Sequence, residues 1–94
     1  MLKIVAKGFF LDGKIDDAIK LYGELVEKSR NEVGCVAYNL FQDKNDETIL
    51  TIIEEWESEE ALRLHQNTEH FKRIVSLLNK LRKNSELNIY NQIL

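Results

Sequence analysis

Proline is absent from this chain and glycine occurs only four times in 94 residues, so neither a flexible linker nor a low-complexity segment is visible. One cysteine cannot close an intrachain disulfide, which agrees with a reducing compartment. There is no excess of basic charge. The formal net charge is −3, with Lys and Arg scattered among the acids, and no basic stripe is left to neutralise a phosphate backbone, so nucleic acid is not an expected partner. No apolar run approaches the roughly 20 residues that span a bilayer, and Lys3 and Lys7 interrupt the N-terminal segment where a signal peptide would need its apolar core. The expectation is a cytoplasmic chain without a membrane partner. No phosphate-cradling glycine loop is present either, which removes the sequence support for a nucleotide or flavin site.

What is present suffices for one core. Hydrophobic residues make up 44% of the chain, and its length suits a single domain over residues 1–94. Leu2 to Phe10 is β-rich and roughly alternating, and Asp12-Gly13 ends it. From Lys14 the spacing changes to threes and fours through Ile15, Ala18, Ile19, Tyr22, Leu25 and Val26, which predicts an amphipathic helix closing near Arg30 and Asn31. Strand two is expected from Cys35 to Phe41 and strand three from Thr48 to Trp56, joined by the polar turn Asp43-Lys44-Asn45-Asp46. Ser58 reads as an N-cap ahead of Glu59 and Glu60, giving a short helix to about Asn67. Thr68 caps a second helix with a stripe of Phe71, Ile74, Val75, Leu78 and Leu81. Glu86 to Ile93 alternates as a fourth strand. The order βαββαβ, with its second helix split, predicts an α+β ferredoxin-like sandwich: a four-stranded antiparallel sheet with helices on one face.

Strand three is apolar on both faces, Leu50 and Ile52 on one and Ile49 and Ile53 on the other. Helices covering one face leave the second without a partner, and a second copy of the chain is the economical cover. Glu54 and Trp56 follow Ile52 on the face that meets the helices. Trp56 reads either as core or as a flat wall for an aromatic ligand. A carboxylate between inward apolar residues is costly to bury unless it has a partner or lines a wet cavity, and such a glutamate has a raised pKa and suits a general base. His65 shares the inward face of Ala61 and Leu62, as a hydrogen-bonded core residue or as a group facing the same cavity. His70 opens the next helix, where it braces the turn or joins the substrate contacts. The two histidines are five apart across a helix break, without a visible acidic ligand, so no metal site is expected. Cys35 opens a strand without a catalytic signature around it. Tyr38, Asn39 and Phe71 complete the candidate substrate contacts. Alternation turns only one of Tyr38 and Asn39 inward.

The opening strand, Asp12-Gly13-Lys14, Glu32-Val33-Gly34-Cys35 leading to Tyr38, Glu54-Glu55-Trp56-Glu57-Ser58-Glu59-Glu60-Ala61-Leu62, and His65 through Phe71 together resemble the antibiotic biosynthesis monooxygenase family, in particular its small quinol-monooxygenase-like members. The resemblance implies a dimeric α/β-barrel, a homodimer with two sheets packed face to face, and a pocket between sheet and helices. It also implies a monooxygenase reaction of quinols or polycyclic phenols with O₂ that uses no metal or flavin cofactor. Glu54 and His65 would be the catalytic residues, and Trp56, Asn39, Tyr38, Phe71 and His70 the substrate contacts. The anthrone oxygenases of that family carry a tyrosine where Leu62 stands and an asparagine where Ile52 stands. Its haem-degrading members need a histidine where Val75 stands. The segment Leu64 to Lys72 also resembles a bacterial isomerase of a phosphorylated signalling molecule, which would use the same base and histidine without O₂. A non-catalytic ligand-binding dimer is the third expectation.

Overall fold

A computed structural model describes Met1–Leu94. The elements run β1 (Leu2–Phe10), α1 (Ile15–Arg30), β2 (Cys35–Gln42), β3 (Ile49–Trp56), α2 (Glu59–Gln66), α3 (Glu69–Asn79) and β4 (Arg82–Asn91). All strand pairs are antiparallel, and the sheet order is β2-β3-β1-β4. This is the ferredoxin-like α+β fold that the spacing predicts. No helix is long and apolar enough to cross a membrane.

Register places one set of alternate residues against the helices. Leu2, Ile4 and Phe10 of β1 and Leu50, Ile52, Glu54 and Trp56 of β3 are buried there, with Ala18, Tyr22, Leu25, Ile74 and Leu78 of the helices closing the core. The helix starts that carry the site are fixed by their caps. The Ser58 hydroxyl accepts from Ala61 N–H at 3.1 Å and the Thr68 hydroxyl from Phe71 N–H at 3.2 Å, each satisfying a donor that the first helical turn leaves open. Gly34, at φ 88°, lies against α2. A Cβ there would stand 2.5 Å from Ala61 Cβ, so both backbone and packing require glycine at this position.

The fourth strand departs from its predicted bounds, beginning at Arg82 instead of Glu86 and ending at Asn91. Arg82, Lys83, Asn84 and Ser85 contain no apolar residue to show alternation, yet their backbone pairs with the end of β1, across an irregularity between Phe9 and Phe10. The preceding helix ends at Asn79, and Leu81, predicted as its last apolar position, packs on the core from the turn beyond. Leu87 and Ile89 face the helix side of the sheet but stay 53% and 52% exposed, because β4 lies at the sheet edge past the reach of the helices.

Candidate functional site

Glu54 sits on β3 opposite Tyr38 of β2 and Ile4 of β1, facing inward, and is only 5% exposed. Its Oε1 accepts a hydrogen bond from Trp56 Nε1 at 2.8 Å, between residues two apart on the same strand face. Burial pushes the Glu54 carboxyl up to about 7; the Trp56 bond works against this and the nearby Glu32 adds to it. A carboxyl poised there exchanges a proton readily at neutral pH.

The side chain borders a cavity of about 110 Å³ between sheet and helices. Ile4, Ile52, Tyr38, Phe71, Val75 and Leu78 make most of the wall near Glu54, so the carboxyl faces a largely apolar space. Burial raises the Tyr38 phenol far above its ordinary range, with the Glu54 charge adding to the effect, so this hydroxyl stays protonated.

Trp56 and His65 do not line this cavity, although the sequence places both on its expected wall. They stand one layer behind it. Trp56 is fully buried, and its ring centroid lies 4.5 Å from that of His65, which in turn meets Phe71 edge-on at 5.0 Å. The tryptophan therefore positions Glu54 instead of flattening the pocket. Asn39, the other sequence candidate on β2, is corrected outright: it lies on the opposite face, pairs across to Ile53, and accepts from Arg30 Nη2 at 2.8 Å. The cause is an irregularity between Cys35 and Ala37, where Cys35 faces Trp56 and Ala37 faces Glu55. Val36 is the extra residue; regular pairing carried straight on from Cys35 through Val36 would turn Asn39 inward instead of Tyr38.

The residue that sequence reading missed is Glu32, in the turn before β2. Its Oε2 lies 2.8 Å from His65 Nδ1 and 2.7 Å from His70 Nε2, so one carboxylate oxygen bridges histidines from α2 and α3. The expectation that no acid accompanies the histidines fails here. These three residues are the ones able to hold a metal ion, their ligand atoms lying within 4.8 Å of one another. The same contacts act without one: a carboxylate only accepts, so both nitrogens donate, and the chain joins the α1–β2 turn to the break between α2 and α3. With its Nδ1 proton held by Glu32, His65 keeps a free lone pair on Nε2, which has no hydrogen-bond partner. Burial lowers the His65 pKa, Glu32 opposing it, and the ring is therefore neutral at pH 7. His70 borders this cluster and not the cavity.

A ferredoxin-like sheet with a buried carboxyl at an apolar cavity under split helices defines the class of fold and site. Within that class the family model for antibiotic biosynthesis monooxygenase matches residues 1–77, and the chain belongs to that family. A crystal structure of an antibiotic biosynthesis monooxygenase is similar over 99% of both chains, with 40% identity and a TM-score of 0.94. A conserved protein from Methanosarcina mazei Go1 is similar over 98% of this chain and 92% of its own, with 34% identity and a TM-score of 0.95. An uncharacterised protein of Synechocystis is 31% identical over 78 residues, covering 82% of this chain and 53% of that protein. The chain thus spans about half the length of the curated relatives it matches.

Proposed function

We propose that this protein is a cofactor-independent monooxygenase of small quinols or phenols, with Glu54 as the base. The observation that carries the reading is the buried Glu54 carboxyl, titrating near 7 on the wall of an apolar cavity and held by Trp56. Deprotonating an electron-rich ring makes it able to donate an electron to O₂ itself, so the protein supplies a base, orientation and a water-poor site. The stoichiometry closes without an outside reductant. A quinol with a free ring position and O₂ give a hydroxyquinone and water: one oxygen atom enters the ring as the new oxygen substituent, and the other leaves as water with the two hydrogens removed. Glu54 takes the phenolic proton and returns it to the departing oxygen. His65 is a positioning residue that packs against Trp56 one layer behind the cavity.

Cavity size favours single-ring substrates over the polycyclic phenols of the sequence expectation. A dry apolar cavity of about 150 Å³ takes benzene. At about 110 Å³, this cavity accommodates one substituted ring only when part of it extends toward the open edge at Leu87. In an oxygen electrode, chelator-treated protein should consume O₂ with a hydroquinone or catechol panel at a rate proportional to protein concentration and above autoxidation. Oxygen uptake indistinguishable from the protein-free control across the panel would sink the reading. Proton exchange into a phosphorylated hydroxyketone, without O₂ uptake, would favour the isomerase instead.

The working form we propose is a homodimer through the outer sheet face, where Val5, Phe9, Ile49 and Ile53 are only half-buried and no element of the chain covers them. Each 100 Å² of apolar surface removed from water there contributes about 2.5 kcal/mol before association costs. Sedimentation equilibrium at micromolar concentration should give twice the 11.0 kDa chain mass, and Ile53→Asp should give the monomer. A wild-type monomer at that concentration refutes this arrangement.

A further inference from the structure

The end of the cavity away from Glu54 has a different chemistry. Arg82 and Ser85 of β4 and Tyr22 of α1 line it. Arg63 and Arg73 are held by carboxylates, Glu60 for the first and Glu24 and Glu69 for the second, but Arg82 makes no ion pair. Its Nε and Nη2 both point to Asn79 Oδ1, at 2.9 and 2.5 Å, a neutral acceptor that fixes the guanidinium without compensating its charge. The guanidinium also lies within hydrogen-bonding reach of the Tyr22 hydroxyl, and Nη1 stands 3.5 Å from where a Cβ at Gly8 would be. The Phe10 ring fills the space over Gly8, 2.6 Å from where that Cβ would stand, and so packs close to the guanidinium.

Ser85 pairs directly with Gly8, so its side chain rises from the same sheet face. Burial pushes the Tyr22 phenol up, while the charge and hydrogen bond of Arg82 beside it pull the other way; the hydroxyl stays protonated, accepts from the guanidinium and keeps its own O–H to donate. Lys7 and Glu86 also border the cavity, but they pair with each other one position out of phase with Gly8 and Ser85, which directs their charges to the outer face. What faces this end of the cavity is one half-buried guanidinium, held by Asn79 and without a carboxylate partner, flanked by two hydroxyls. An immobilised guanidinium beside apolar walls is relieved by an anion that it can hold with charge-assisted hydrogen bonds.

We propose that Arg82, with Ser85 and Tyr22, is a subsite for an anionic substituent, a carboxylate or a phosphate, on a ring whose hydroxyl reaches Glu54. The inference rests on the reading of Glu54 as the base and names the substrate class of that site. Spacing agrees with it. Glu54 pairs with Ile4 and Arg82 with Phe10, so the two are two strands apart laterally and six residues apart along β1, roughly 22 Å between α-carbons. Inward-reaching Glu and Arg side chains take up much of that span and leave the length of one ring bearing a hydroxyl at one end and an acid at the other. A neutral catechol meets Glu54 and leaves Arg82 unanswered. A hydroxylated aromatic acid satisfies both ends.

Calorimetric titration of the full chain with catechol, 3,4-dihydroxybenzoate and 4-hydroxyphenyl phosphate tests this without requiring turnover. Wild type should bind at least one of the two acids about tenfold or more tightly than catechol, the worth of one charge-assisted hydrogen bond. Arg82→Gln should erase that preference while leaving the catechol affinity unchanged, and Arg82→Lys should restore part of it; whichever acid loses more in Arg82→Gln identifies the group. Equal affinity for all three in wild type, a preference that survives Arg82→Gln, or no binding of any probe at millimolar concentration would overturn the subsite. Circular dichroism of the Arg82 variants guards against misfolding. An acid preference without O₂ consumption upholds the subsite and removes the oxygenase reading, whereas O₂ consumption indifferent to Arg82 does the reverse.

Discussion

Glu54→Gln should lower the rate of O₂-dependent quinol turnover by about 10²- to 10⁴-fold, the usual worth of one general acid–base group, and should make the protein more stable at alkaline pH. The two effects have one cause. Glu54 titrates at about 7 in the folded chain and at 4.5 as a free side chain, so the native state holds its proton more tightly than the unfolded state. Folding stability from this group is complete below pH 4.5, is lost as pH rises toward 7, and above 7 the protein carries a buried charge at a cost of about 3 kcal/mol. Glutamine keeps the shape and an acceptor for the Trp56 N–H without the charge. Urea unfolding of both proteins at equal concentration should therefore give matching midpoints at pH 4 and a clearly higher midpoint for the variant at pH 9. His65 has the opposite linkage, since its lowered pKa removes stability as pH falls through 6.5, but it is common to both proteins and cancels in the difference. A variant that is inactive and also less stable at pH 9 would mean that Glu54 is ionised and paired in the native state, and the base assignment would fall.

Most of the fold was readable because its elements carry their own periodicity: the threes and fours of α1 and α3, the alternation of β1, and two caps whose hydroxyls do bond the predicted helix starts. Glu54 was readable for a similar reason, as a charge at an inward position between two apolar residues. What escaped was set by contacts between distant segments. Glu32 lies in a turn with no period, and only the folded chain brings it between His65 and His70. The inward choice of Tyr38 over Asn39 depends on one extra residue at Val36, which leaves no mark in composition. Arg82 looked like loop because it lies in a polar stretch, and its strand character comes from pairing with β1 alone. The aromatic character of Trp56 suggested a ligand wall, while its position two residues from Glu54 on the same face held the more specific information. An indole N–H there reaches a neighbouring carboxylate.

That pairing sets up a second large expected effect, in which two substitutions at Trp56 separate packing from proton chemistry. Trp56→Ala removes the largest fully buried side chain and should cost about 3–5 kcal/mol, a large part of the 5–15 kcal/mol that stabilises a typical domain. Trp56→Phe keeps most of the ring against His65 and Tyr38 but has no N–H, so the Glu54 carboxylate loses its observed hydrogen-bond donor. That bond favours the charged form of Glu54, and its loss must move the titration further upward. Hydrogen bonds to charged groups are worth about 1.5–3 kcal/mol, so the acid limb of the pH–rate profile should rise by about one pH unit or more above that of wild type. At a pH well above the new limb, Trp56→Phe should recover most of the wild-type rate, because the base is then ionised whether or not the indole assists it. Activity profiles from pH 5 to 10, with unfolding curves on the same samples, read both quantities. An acid limb that stays in place while stability falls would show that Trp56 serves the core alone, and Glu54 would then owe its position to the surrounding wall of Ile52, Tyr38 and Ile4.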